Sequence, residues 1–343
     1  MMQWRCKTLR FYISCVFAIT AAPAIAMDNS IDLIARINRA TAQSSLVAIK
    51  QKPWHLKLDV TAFDDKGKNP QQGIIEYWQS GESSRTTYTF GASNSTSIKT
   101  SGNTYFRFSG PDMPDIASEA LSQILEPGAD PDEFKGSTPE LRNQKFGKIM
   151  LDCIMLTLPE KSREVPPLGL FPTYCMDPGK DDLRLSYNFG SETVVRNRIG
   201  TFLGQHVTTI LALIQGEITI ATVKLVELTT YDPDPDEFKP AADMQISNQE
   251  NVEGSVIAGR ILTKQQPVYP VSARARHVDG KIVLHAIIGR DGHIHSLRPV
   301  SSDDPDLAIS AIDAVRHWTY KPYLLNGELT EVDTTITVDF HLN

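Results

Sequence analysis

The sequence predicts an α+β protein in two units: an N-terminal antiparallel curled sheet or half-barrel with helices, then a small antiparallel sheet packed with two helices. Three observations lead there. From Trp54 onward, short runs alternate apolar and polar residues and are bounded by Gly, Ser or Asn, as half-buried strands are. The gaps between runs are turn-sized, whereas parallel strands need long crossovers. Near residue 243 the pattern stops in a polar, aperiodic stretch, then resumes with strand and helix periods alternating. A chain of 343 residues can bury two cores, and 41% hydrophobic with 22% charged residues is the composition of a folded protein. A net charge of −7 leaves no basic patch, so no nucleic acid is expected as a partner.

Residues 1–26 read as a signal peptide. Arg5, Lys7 and Arg10 form a positive start, residues 11–20 an apolar run, and Ala24-Ile25-Ala26 a small-residue cleavage site. The apolar run is shorter than the ~20 residues that span a bilayer. Removal after Ala26 would place the protein free in the periplasm; an uncleaved leader would anchor it to the inner membrane. Cys15 follows a poor lipoprotein box, so no lipid anchor is expected. Cys6 and Cys15 lie in the leader, which leaves Cys153 and Cys175 as an even pair in an oxidising compartment. A disulfide between them is the expectation, and two buried free thiols the rival.

In residues 27–242, Ile31, Leu33, Ile34 and Ile37 give residues 30–40 a helical apolar face, with Asn29 or Ser30 as N-cap. Trp54, Leu56, Leu58, Val60 and Ala62 then alternate with polar residues, and Asp64-Asp65-Lys66-Gly67 ends that strand. Strand-like runs follow at residues 73–78, 85–90, 97–100 and 104–108. Residues 114–125 return to helical spacing through Ile116, Ala120, Leu121 and Ile124. The cysteine region reads as a loop, after which strands resume at 183–189, 194–199, 206–213 and 217–228. Tyr231-Asp232-Pro233-Asp234-Pro235-Asp236 stops the last of them, because proline cannot continue a ladder. Residues 243–255 read as a linker. This order of elements, with export, resembles the LolA-like superfamily of periplasmic carriers. The resemblance implies an apolar concavity for an acyl or lipid ligand, which Trp54, Tyr77, Trp78, Tyr105 and Phe106 would line. The other reading makes those aromatics core or cross-strand pairs.

Residues 256–343 form the last unit. Gln266-Pro267-Val268-Tyr269-Pro270 sets an extended approach, and a short helix over 271–277 ends at Asp279-Gly280. A strand over 281–288 turns at Arg290-Asp291-Gly292 into a second over 294–300. Asp304 can cap the next helix, with Pro305 at its first position. That helix aligns Leu307, Ala311, Ala314, Val315 and Trp318 on one side, facing Ile282, Leu284, Ala286 and Ile288 of the strand. After Asn326-Gly327 comes a closing β-branched strand over 332–342 carrying Ile336, Val338 and Phe340.

In series, P-x-Y-P, D-G-x-I, A-V-x-x-W-x-Y-x-P, N-G and T-x-I-x-V-x-F resemble the TonB C-terminal domain across residues 256–343. The resemblance implies partner binding by β-strand addition, in which the unpaired backbone groups of an edge strand hold an extended peptide. Carried over, that edge is Thr334, Thr335, Ile336, Thr337, Val338, Asp339, Phe340 and His341, with Gln266 as a further contact. The implied partner is an outer-membrane TonB-dependent receptor or another envelope protein, and the same edge could join two copies as a homodimer. Tyr269, Trp318, Tyr320 and Pro322 are expected as core. Typical transducers carry an uncleaved N-terminal helix and a long proline-rich linker that reaches across the periplasm. Here a cleavable leader and a folded unit stand in their place, which supports binding and not pulling. A lipid or lipoprotein carrier, with the C-terminal unit as docking adaptor, is the alternative function.

No nucleophile elbow, phosphate-cradling Gly loop or H-E-x-x-H motif occurs, so no enzyme activity and no cofactor are expected. His293 and His295 share a strand face without a third ligand, so no metal is expected either.

Overall fold

The computed structural model describes residues 23–342 apart from residues 65, 112, 115, 129–136, 158–166, 189–191, 247–248 and 303. The leader's charged start and apolar run therefore lie outside the described residues. Among the described residues no helix is long and apolar enough to cross a membrane. The first helix, α1 (Pro23–Ser44), includes Ala24-Ile25-Ala26 and runs further at both ends than the apolar periodicity suggests.

After a single 3-10 turn at Leu46–Ala48, five strands form a meander: β1 (Trp54–Ala62), β2 (Gln71–Ser80), β3 (Ser83–Phe90), β4 (Ser93–Thr100) and β5 (Asn103–Ser109). Helix α2 (Ile116–Leu125) follows. A second meander comprises β6 (Thr138–Phe146), β7 (Ile149–Thr157), β8 (Thr173–Met176), β9 (Leu183–Asn188), β10 (Glu192–Phe202), β11 (Gln205–Gln215) and β12 (Ile218–Thr230). Antiparallel pairing of β1 with β12 joins the two meanders into one open sheet. Alternation dictates its core: Trp54, Leu56, Leu58, Val60 and Ala62 are all buried on one face of β1, under Ala117, Ala120, Leu121 and Ile124 of α2. Ile37 and Ala40 of α1 cover Ile154, Leu156, Tyr174 and Met176 further along.

The cysteine region is sheet, not loop. Strands β6 to β8 escape an alternation test because β7 is buried on both faces, Ile154 and Leu156 against α1, Leu151 and Cys153 on the other side. Cys153 and Cys175 are directly opposed on β7 and β8 and form a disulfide, which staples neighbouring strands. Trp54 and Tyr77 are core residues with ring centroids 5.3 Å apart. Trp78 stacks on His55 at 4.7 Å, on the opposite face. Tyr105 pairs with Ile246 across strands.

Residues 243–255 also depart from expectation. They contain β13 (Gln245–Ile246), which pairs with β5, then β14 (Gln249–Asn251) and the start of α3 (Gly254–Ala258). Short edge strands need only main-chain partners, so their side chains carry no period. Next come β15 (Ile261–Thr263), α4 (Val271–Ala275), β16 (Gly280–Ile288), β17 (Ile294–Ser302) and α5 (Pro305–Val315). The chain closes with β18 (Thr319–Tyr320), β19 (Leu324–Leu325), β20 (Glu328–Leu329) and β21 (Glu331–Phe340). A sheet in the order β14-β21-β16-β17 packs against α5, and Leu307, Ala311 and Val315 meet Ile282, Leu284 and Ala286 in a separate core.

Candidate functional site

Strand β21 pairs antiparallel with β16 from Gly280↔Phe340 to Ile288↔Val332. Its β-branched residues suit a pleated, half-buried surface. Val332, Thr334, Ile336, Val338 and Phe340 are buried towards α5. Tyr269 closes that face, its ring edge-on to Phe340 at 5.6 Å and its hydroxyl donating to the Val278 carbonyl. His285 Nε2 lies 2.7 Å from Asp333 Oδ1. Trp318 and Tyr320 are buried beneath the strand, and burial raises the Tyr320 hydroxyl pKa.

The outer edge of β21 is not bare along its length. Its first residues carry β14, parallel, with Gln249 opposite Glu331 and Asn251 opposite Asp333. Val252 N donates to Asp333 O at 2.9 Å, and Thr334 Oγ1 donates to Val252 O at 2.6 Å. Gly254 then passes so close that a Cβ there would lie 2.1 Å from Thr335 O. Backbone groups of a strand alternate between its two edges. Since Asp333 O and Thr335 O face outward, the N–H groups of Thr337 and Asp339 do so as well. Beside them a cavity of about 480 Å³ is lined by Ile257, Ile261, Lys264, Trp318, Tyr320 and Ile336. The strand ends at Phe340, so His341 lies just beyond it.

Gln266 lines a groove with Val268, Pro270, Ile309 and Ser310, along α5, while Lys264, two residues before it, lines the cavity beside the edge. Val252 and Gly254 were hidden in the polar stretch 243–255; the one signal was a glycine directly before Ser255-Val256-Ile257.

A second concavity lies between the sheets, about 430 Å³, walled by Tyr88, Phe106, Phe108 and Met113 and reached by Arg290 and His295 of the smaller unit. Arg290 sits 3.6 Å over the Phe106 ring, and burial lowers its pKa. Burial acts to raise the Asp291 carboxyl, but hydrogen bonds from His295 and the His293 N–H outweigh it and hold the pKa below the ordinary value. Of the five aromatics named for a ligand cavity, Phe106 alone lines this one. Among the described residues no three metal-binding side chains converge.

Residues 265–342 match the family described as Gram-negative bacterial TonB protein C-terminal. The solution NMR structure of the Pseudomonas aeruginosa TonB CTD is similar over 24% of this chain and 85% of that one, at 24% identity and a TM-score of 0.22. A DUF1329 family protein from Desulfovibrio piger ATCC 29098 is similar over 64% of this chain and 99% of that one, at 11% identity and a TM-score of 0.40. A LolA superfamily protein from Nitrosomonas europaea is similar over 60% and 97%, at 11% identity and a TM-score of 0.36. No curated protein matches the chain.

Proposed function

We propose that this is a periplasmic docking protein of TonB type, without enzymatic activity, which holds extended segments of outer-membrane transporters or related envelope proteins by β-strand addition. The observation that carries this reading is the outer edge of β21, which already accepts a parallel strand at Glu331–Asp333 and offers further backbone groups at Thr337 and Asp339. Such groups bind main chain in any extended partner, and neighbouring cavities read its side chains. A pull-down with receptor-plug peptides tests it. Thr337→Pro deletes an outward N–H while the bonds to β16, made by its even-numbered neighbours, stay in place. Capture should fall at least about tenfold in that variant, which matches a loss of about 1.4 kcal/mol. Capture that is insensitive to Thr337→Pro would rule the edge out.

A carrier of apolar ligands is the second reading, and the cavity walled by Tyr88, Phe106, Phe108 and Met113 favours it. Its volume falls in the range of small-molecule sites, roughly 300–1,000 Å³. Mass spectrometry of the purified protein should then find an acyl ligand, and Phe106→Asp should strip it. Protein free of ligand, with no uptake of a fluorescent fatty acid, would dismiss this reading.

A further inference from the structure

We infer that residues 249–252 are a built-in occupant of the docking edge, and that a partner's extended segment takes the full length of β21 only by displacing them. The inference rests on the docking reading above and deepens it. The segment already has the geometry of a bound peptide: extended, parallel to β21, in register from Glu331 to Asp333. Val252 anchors it, 7% exposed within the smaller core and bonded through its N–H to Asp333 O. Gly254 lets the chain turn off the edge against Thr335 O and enter α3.

The same segment is poorly matched to the edge. It is a strand of three residues, parallel and at the rim, the arrangement least costly to open. Glu250 stands opposite Val332, whose side of β21 is buried, yet Glu250 itself is a charged residue left exposed. A segment with apolar residues at the positions of Glu250 and Val252 suits that face better. Neutral or basic residues at the positions of Gln249 and Asn251 would complement Glu331 and Asp333, which stand opposite them. The expected partner segment is therefore extended, parallel to β21, apolar at alternate positions and not acidic between them. Being tethered, the resident segment competes at a high effective concentration, so partner affinity is reduced by the fraction of time the edge is closed.

The test uses the full chain and one probe, a fluorescein-labelled peptide of residues 247–255 carrying Glu250→Val. Val252→Pro removes the N–H donated to Asp333, and Gly254→Val forces a side chain against Thr335 O; both release the resident strand. Each variant should bind the probe about tenfold tighter or more than the unaltered chain. In the unaltered chain, saturating probe should speed hydrogen exchange of the 249–254 amides, a readout that needs no variant. Equal affinity for all three proteins, with unchanged exchange at 249–254, overturns the inference while docking at Thr337 and Asp339 stands. Binding that survives Thr337→Pro in every background, or no binding by any protein, overturns the docking reading and this inference together. Dimerisation of the released variants with no gain in probe affinity assigns the freed edge to a second copy and overturns the peptide partner.

Discussion

At Asp304 one carboxylate serves three groups. It caps α5 by accepting from the N–H groups of Asp306 and Leu307, and it is paired through both oxygens with Arg276 at 2.6 and 3.1 Å. The side-chain bond to Asp304 is the largest cause of the raised Arg276 pKa. Capping was readable from Asp304-Pro305; the Arg276 pairing, which ties α4 to α5, was not. Asp304→Ala should cost about 2 kcal/mol or more, the loss of a cap and of a charged hydrogen bond together, read as a shift in the urea midpoint of the smaller unit. Asp291 makes a pH-dependent contribution. Its folded pKa is depressed, so its contribution is present above the ordinary carboxylate value and lost as the pH falls through the folded one. Thermal unfolding from pH 7 down to 3 should therefore show a steeper acid loss in the unaltered protein than in Asp291→Asn. Parallel acid limbs would remove Asp291 from the account.

Strands β7 and β8 show what an element hides from sequence. Strand β1 announces itself by alternation because one face is buried and the other half-exposed, and its observed bounds are the expected ones. Strand β7 reads Ile149-Met150-Leu151-Asp152-Cys153-Ile154-Met155-Leu156-Thr157, and alternation is lost over residues 153–156, four consecutive buried residues, because both faces are covered there. Strand β14 failed for the opposite reason: its hold is main-chain, so its side chains carried no signal. The site was legible in the same measure. The β-branched strand β21 was readable in the sequence, but the strand β14 paired with its outer edge was not. The Cys153–Cys175 bond links cysteines 22 residues apart on adjacent strands. Its entropic restriction of the unfolded chain is worth about 3 kcal/mol. The double variant Cys153→Ser/Cys175→Ser should lower the unfolding free energy of the larger unit by that order and leave the smaller unit's midpoint in place. A matching drop in both units would mean that they unfold as one.

Whether the two units behave as one body depends on a small set of contacts. Their cores share no residue, so each can unfold on its own, as domains with separate cores do. Among the described residues, the features that join them include β13 on the edge of β5, Arg107 paired with Asp243 at 2.9 Å, and Arg290 stacked on Phe106. The Arg107 pair is exposed and screened by salt, so it contributes little. The pairing of β13 covers only two residues. The stack is the better candidate for coupling, because Arg290 is partly desolvated there, and such a contact is worth about 1–2 kcal/mol. Arg290 also donates to Leu329 O at 3.2 Å, so the contact lies just ahead of β21. If it couples the units, Arg290→Ala and Phe106→Ala should each move the unfolding midpoints of the two units apart, and the double variant should go little further than either single one, because both remove the same contact. Calorimetry with a tryptophan probe in each unit (Trp54 and Trp318) would read this. Midpoints that stay put in both variants would leave β13 as the main joint, and deletion of residues 245–246 should then separate the units where Arg290→Ala did not.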